Sequence, residues 1–204
     1  MYNRAPTRAG IAQLVEHKLP KLGVAGSNPV ARSTSPESKP LTRLPPGEGA
    51  FSLEAGVKVV APIRVAHSWV QHLNAPRERV FPLLCPVRET EWVEGWDPEL
   101  VISASGIAEK DCVFVTGDPK AIWVVTSYEP PVRIEFVKTM PDLAVTRISI
   151  GLEPEGDGGT AATVRYAHTA LTPAGEALVI QMDDRAWQEF MERWETALNR
   201  YLAS

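Results

Sequence analysis

The C-terminal segment decides the fold, and residues 160–202 read TAATVRYAHTALTPAGEALVIQMDDRAWQEFMERWETALNRYL. The stretch from Thr160 to Leu171 alternates apolar and polar residues, which predicts a β-strand. Thr172 can then cap a helix that has Pro173 at its first position. Beyond this cap, apolar residues recur every three or four positions and predict one stripe on a long helix. The stripe consists of Trp187, Phe190, Met191, Trp194, Leu198, Tyr201 and Leu202.

The preceding residues predict a meander of short strands, because β-favouring stretches alternate with turns such as Asp97-Pro98 and Gly117-Asp-Pro-Lys120. A short helix over Arg77 to Phe81 interrupts the series, since Asn74 can cap it and Pro82 can stop it. The predicted strands are Ile63–Leu73, Leu100–Ile107, Cys112–Thr116, Ile122–Tyr128, Arg133–Lys138, Leu143–Leu152 and Thr160–Leu171.

An antiparallel sheet and one long helix are expected to bury their apolar faces against each other. We therefore predict an α+β fold: a seven-stranded curved antiparallel sheet packed on a long C-terminal helix, with short helices after the first strand. Every second residue of a strand should face the helix, and Glu135 should point away. The set predicted to face the helix contains Ile134, Phe136, Ile148, Ile150, Leu152, Val164, Tyr166 and His168.

The first 56 residues differ from the rest and are predicted to be disordered or spurious. Residues 1–50 hold seven Lys or Arg against three Asp or Glu, with seven of the 18 prolines and no sustained periodicity. The runs Gly10–His17 and Gly23–Val30 resemble a peptide produced when a bacterial tRNA gene is translated in error. A basic arm that binds nucleic acid or a membrane is the alternative. The folded domain is predicted to span residues 57–204.

Composition argues against several classes of protein. The net charge is −4, and residues 51–204 alone carry fourteen basic against twenty-two acidic residues, which disfavours nucleic-acid binding. No apolar run reaches the ~18 residues of a membrane span, and no secretory signal is recognisable. Cys85 and Cys112 lie in unlike sequence contexts and form no CxxC pair, so neither a zinc site nor a disulfide scaffold is indicated. A reduced, cytoplasmic setting is therefore expected. We expect a monomer or homodimer without cofactor or metal, since no motif for either is found.

Six stretches carry a family resemblance: Asn74–Phe81, Trp92–Trp96, Tyr128–Phe136, Thr163–Thr169, Phe190–Trp194 and Leu198–Leu202. They resemble the START-like superfamily of helix-grip proteins, also called SRPBCC or polyketide cyclase/dehydrase-like proteins. The resemblance implies a cavity under the long helix. Members bind lipids, hormones or polyketides; some are cyclases or dehydratases, and some are chaperone cofactors. They share no invariant catalytic set, so the fold does not settle the function.

The resemblance and the aromatic content together predict that a small hydrophobic molecule, such as a lipid or polyketide, binds in this cavity. Trp194 is expected to pack in the core, whereas Trp92 and Trp96 fit a pocket rim as well as they fit the core. The residues predicted to contact the ligand are Trp92, Trp96, Trp123, Ile134, Phe136, Ile148, Val164, Met182, Trp187 and Met191.

Two alternative functions stay open. In a polyketide cyclase or dehydratase-like enzyme, His168 and Tyr166 would act as acid and base, although both fit as hydrogen-bonded core residues. A chaperone-cofactor-like interaction module is the second.

Glu89 and Glu91 could bind a polar group or metal, but a solvated loop fits them better.

Two further residue types are weak site candidates. Cys85 has no base nearby in sequence that would make it a nucleophile. His67 and His72 are five residues apart and should lie on opposite faces of the first strand, which argues against a shared metal site.

Overall fold

The computed structural model describes residues 59–117 and 120–204. The segment of residues 1–56, predicted to be disordered or spurious, lies outside the described residues. The strands are β1 (Arg64–Leu73), β2 (Pro98–Ile102), β3 (Val113–Thr116), β4 (Ala121–Glu129), β5 (Arg133–Met140), β6 (Ala144–Glu155) and β7 (Gly159–Ala170). The helices are α1 (Arg77–Val80), α2 (Pro86–Glu89), α3 (Pro173–Gln181) and α4 (Asp184–Leu202), with a 3-10 helix at Phe81–Leu84 between α1 and α2.

All seven strands form one antiparallel sheet in the order β1-β7-β6-β5-β4-β3-β2, which confirms the predicted fold class. Strands β2 to β7 follow one another as a meander, and β1 pairs with β7 at the far edge. This pairing aligns residues into rows across the sheet. One row contains Phe136, Ile148, Tyr166 and His67, and the next contains Lys138, Thr146, His168 and Val65.

The face of the sheet that packs against the helices is the one predicted from the alternation. Ile134, Ile150 and Val164 are each at most 2% exposed. Glu135 lies on the other face, where its carboxylate accepts hydrogen bonds from the Arg133 guanidinium. Burying each such aliphatic side chain contributes about 1.5–3 kcal/mol, so the register is strongly specified.

The C-terminal segment forms two helices rather than one continuous helix. Thr172 caps α3 as predicted, with its hydroxyl accepting from the Gly175 N–H. The chain then leaves helical geometry at Met182, and Asp183 starts α4 by accepting from the Ala186 N–H at 2.8 Å. At this break the Met182 carbonyl accepts a hydrogen bond from Nε2 of His67, so it is satisfied outside the helix. The whole predicted apolar stripe lies on α4.

One strand is shorter than predicted. The strand expected over Leu100–Ile107 ends at Ile102, because a turn follows it. The Glu109 carboxylate accepts from the backbone N–H groups of Ala104 and Ser105, and Gly106 has a φ of +78°. Backbone donors satisfied by a side chain in this way are not available to a sheet.

Candidate functional site

A cavity of about 640 Å³ lies between the sheet and α4. Its floor comes from β3 to β7 and is formed by Phe114, Trp123, Phe136, Ile148, Ile150 and Tyr166. The segment after α2 supplies one side through Val93, Gly95 and Trp96. Helix α4 supplies the roof, with Phe190, Trp194 and Ala197 among the lining residues.

Four aromatic rings form a cluster along the floor and one side. Trp123 stacks on Phe114 with ring centroids 5.2 Å apart, and Trp96 meets Trp123 edge-on at 5.7 Å. Phe136 contacts both Phe114 and Trp123 edge-on. Such offset and edge-to-face contacts fix the ring orientations as well as bury area.

The polar tips of two of these indoles are satisfied by the protein. Nε1 of Trp96 donates to the Pro86 carbonyl at 2.7 Å, and Nε1 of Trp123 donates to Oγ1 of Thr116 at 3.0 Å. Because both indole N–H groups donate to protein oxygens, these two side chains present only ring carbons to the cavity. This part of the site is suited to an apolar molecule.

Charged residues also line the cavity. Glu89, Glu94, Glu189 and Glu192 line it together with Arg193 and Arg200. Glu89 is only 7% exposed. In contrast, Glu91 is solvated, accepts from Arg88 and Tyr201, and has its pKa lowered mainly by the Arg88 hydrogen bond. Of the two glutamates, only Glu89 reaches the cavity.

Tyr166 and His168 lie side by side on β7, with ring centroids 5.8 Å apart. Tyr166 lines the cavity, and His168 lies one row further along the same face. Nδ1 of His168 is 2.9 Å from Oγ1 of Thr146, while Nε2 is buried and has no hydrogen-bond partner among the described residues. Burial, followed by the charges of His67 and Lys138, lowers the pKa of His168 to about 4. At neutral pH its ring is uncharged.

Lys138 brings a positive charge to the interior. It is 8% exposed and faces Thr146 across the β5–β6 pair. Its Nζ atom lies 4.7 Å from the centroid of the Trp123 ring, which is within cation–π range. The polar row Lys138–Thr146–His168 therefore runs along one side of the apolar floor.

Comparison with solved structures agrees with this architecture. A norcoclaurine synthase point mutant from Thalictrum flavum, in complex with a transition-state analogue, matches with a TM-score of 0.54 and 10% identity over 71% of this chain and 98% of that chain. A conserved protein from Geobacillus kaustophilus matches with a TM-score of 0.52 and 16% identity over 68% and 95% of the two chains. The chain has the START-like helix-grip fold. No sequence-family model and no curated protein sequence matches it.

Four of the ten residues predicted to contact a ligand line the helix-grip cavity: Trp96, Trp123, Phe136 and Ile148. The structure places the other six outside its wall. Ile134, Val164, Trp187 and Met191 are buried in the core, and Met182 lies at the α3–α4 break. Trp92 packs edge-on against Trp194 at 5.1 Å and donates from Nε1 to the Leu83 carbonyl. Trp194, expected in the core, lines the cavity as well as packing there.

Sequence reasoning missed several lining residues of the helix-grip cavity. Phe114 and Phe190 belong to a predicted strand and to the predicted stripe, so a signal for both was present. Val93, Glu94 and Gly95 had no periodic signal, because they lie in the irregular segment after α2.

Other candidate groups in the helix-grip domain are placed as follows. His67 and His72 lie on opposite faces of β1, with side chains 6% and 62% exposed, as predicted. Cys85 and Cys112 are buried free thiols, and Sγ of Cys85 accepts from the Ala108 N–H.

Within residues 59–117 and 120–204, no cluster of three or more His, Cys, Asp or Glu side chains could hold a metal ion. No helix of this same part of the chain is long and apolar enough to cross a membrane.

Proposed function

We propose that this protein binds a small apolar molecule, such as a lipid or a polyketide, in the cavity between the sheet and α4. The observation that carries the proposal is the cavity itself. Its volume of about 640 Å³ falls within the range of roughly 300–1,000 Å³ that is common for small-molecule sites. Its wall is built from aromatic rings whose mutual contacts hold them in place before any ligand arrives. Such preorganisation reduces the entropy cost of binding.

A relative of the same fold supports this proposal. The Thalictrum flavum norcoclaurine synthase mutant holds a transition-state analogue, so the fold can accommodate a small molecule. At 10% identity the likeness concerns the fold alone, and the ligand of this chain is a separate question.

The arrangement supports binding ahead of acid–base catalysis of the polyketide cyclase or dehydratase kind. A general base works best with a pKa near the operating pH, whereas that of His168 is lowered to about 4. His168 also lies beyond Tyr166, outside the residues that line the cavity. It would be a weak base at a distance from any molecule confined to the cavity.

Native mass spectrometry of the full chain, purified from its own host, tests the proposal. We expect a bound mass in the range of a lipid or polyketide, which is lost on denaturation. A matched pair of variants on α4 adds a control: Ala197→Phe fills the cavity, whereas Gln188→Phe adds a ring at an exposed position off the cavity wall. The bound mass should disappear from the Ala197 variant only. A ligand retained equally by both variants, or none in the wild type and none taken up from host lipid extract, would overturn the proposal.

A further inference from the structure

The outer face of the sheet, which is turned away from the cavity, carries a patch of aliphatic side chains. Successive residues of a strand point to opposite faces, and Val101 packs against the core, so Leu100 and Ile102 point outward. Leu100, Ile102 and Ile122 are 50%, 58% and 40% exposed. We refer to the following residues as the outer-face patch: Leu100, Ile102, Val113, Val115, Ile122, Val124, Val137 and Val145.

Strand pairing joins the outer-face patch into two continuous rows. One row runs through Ile102, Val113, Val124 and Val137, and the other runs through Leu100, Val115, Ile122, Thr139 and Val145. The rows cross five neighbouring strands, β2 to β6, which together span about 19 Å. Contiguous exposed apolar surface of this kind marks an interaction site, whereas single exposed aliphatic residues are common on any protein.

Charged residues bound the outer-face patch on one side. Arg147 follows Val137 in the same row, and Arg165 and Arg64 lie on the outer face of β7 and β1. All three arginines are exposed. The outer face is therefore charged over β6, β7 and β1 and aliphatic over β2 to β5, although the solvated face of an antiparallel sheet is usually polar throughout.

The edge of the sheet beside the outer-face patch is poorly suited to pairing with another strand. β2 is an edge strand, but Pro98 at its start has no N–H group to donate. The register between β2 and β3 also shifts between Pro98 and Leu100, and such irregularities protect sheet edges from strand addition. A partner therefore buries more apolar surface by covering the face than by extending the sheet.

Charge and shape favour a second copy of this chain as that partner. Residues 51–204 hold fourteen basic and twenty-two acidic residues, so two copies repel each other in most orientations. The outer-face patch contains no charged side chain, so two copies can meet there without placing like charges opposite each other. Two flat rows of branched aliphatic side chains also fit against an identical pair of rows, as a contact between identical surfaces requires.

We propose that two copies of this chain associate face to face through the outer-face patch, around a two-fold axis that runs between β3 and β4 and parallel to them. This axis places the highly exposed β2 residues of one copy opposite β5 of the other, where Val137 is half-buried. Sheets packed in this way lie about 10 Å apart. The patch forms the apolar centre and its polar surroundings the rim of an interface near the lower end of the roughly 1,200–2,000 Å² that stable complexes bury.

Sedimentation equilibrium of the full chain between about 1 µM and about 200 µM tests the proposal. We expect a reversible monomer–dimer equilibrium with a dissociation constant of about 10 µM. Ile102→Lys and Ile122→Lys each place a charge in the apolar contact and should raise this constant by about tenfold or more. Val70→Lys is the matched control, because Val70 is 44% exposed on the outer face of β1 and lies outside the patch. It should leave the dissociation constant unchanged.

A measurement on the wild type alone keeps the proposal testable if a lysine variant does not fold. Its thermal midpoint should rise with protein concentration, because only folded chains form the dimer. A wild type that stays monomeric throughout this range, or a dimer that survives both patch variants, overturns the proposal. A monomer that cosediments with phosphatidylcholine vesicles would also overturn it and would assign the patch to membrane contact. The cavity lies on the other face, so the function proposed for it stands or falls separately.

Discussion

Thr146 and His168 face each other on neighbouring strands of the sheet, and Oγ1 of Thr146 lies 2.9 Å from Nδ1 of His168. Both belong to the buried side of the sheet, where Thr146 is 2% exposed. The contact satisfies one nitrogen of an uncharged imidazole and leaves the other buried. Protonation of this ring would place a charge in the interior close to Lys138, so the protein holds His168 neutral.

The first prediction concerns pH. Burial, then His67 and Lys138, lower the pKa of His168 from 6.5 to about 4. Because the unfolded chain takes up the proton first as pH falls, stability is full above about pH 6.5 and is lost progressively towards pH 4. Between pH 8 and pH 5 the free energy of unfolding should fall by about 2 kcal/mol from this group. The free energies of unfolding of the wild type and His168→Leu, measured by urea titration, should differ in pH dependence by that amount. Parallel pH profiles of the two proteins would contradict the lowered pKa of His168.

The fold was predictable because its signals are local and repeated. The alternation of Ile134 with Glu135 and the spacing of Trp187 to Leu202 each follow from the geometry of one element. The break at Met182 was missed because it depends on a distant partner, the His67 side chain of β1. A helix cap at Asp183 inside a longer helical pattern is a weak signal without that contact.

The site was only partly predictable, for a related reason. Trp187 and Phe190 both belong to the apolar stripe of α4, three residues apart, yet only Phe190 lines the cavity. Which of the two residues reaches the cavity depends on how α4 packs against the sheet, and the periodicity of the apolar residues carries no information about this packing. In the same way, Trp96 reaches the cavity because α2 and the following turns aim it there, with its indole held by the Pro86 carbonyl.

The second prediction concerns the close approach of α3 to the β5–β6 turn. A Cβ atom at Gly175 would lie 1.7 Å from the Leu143 carbonyl oxygen, so even alanine requires the helix to move. Gly175→Ala should lower the free energy of unfolding by about 3 kcal/mol. Gly151→Ala is the control, because no atom lies within 4 Å of its added Cβ, and it should change stability by less than about 0.5 kcal/mol. Urea denaturation measures the free energy of unfolding of both variants. Equal losses would show that α3 does not pack tightly against the Leu143 carbonyl.

The third prediction concerns the start of α4. The Asp183 carboxylate accepts from the Ala186 N–H at 2.8 Å and satisfies one of the free donors of the first turn. Asp183→Ala should therefore lower the free energy of unfolding by about 1 kcal/mol, whereas Asp183→Asn keeps a capping oxygen and should cost much less. Chemical denaturation of the three proteins distinguishes them. Should the alanine and asparagine variants be equally destabilised, the contribution would come from charge rather than from the cap.

The fourth prediction concerns the connection between the end of α4 and the β1–α1 turn. Asn199 donates from Nδ2 to the His72 carbonyl at 2.9 Å and accepts at Oδ1 from the Asn74 N–H at 2.8 Å. Asn199→Ala should lower the free energy of unfolding by about 2 kcal/mol, because it breaks both bonds. Asn199→Asp keeps the acceptor for the Asn74 N–H, so the Asn74 amide should stay protected from hydrogen exchange, although stability also falls because a carboxylate oxygen then faces the His72 carbonyl. Hydrogen exchange followed by NMR tests this: the Asn74 amide should exchange faster in the alanine variant only, and equal rates in both variants would show that Asn199 does not hold this turn.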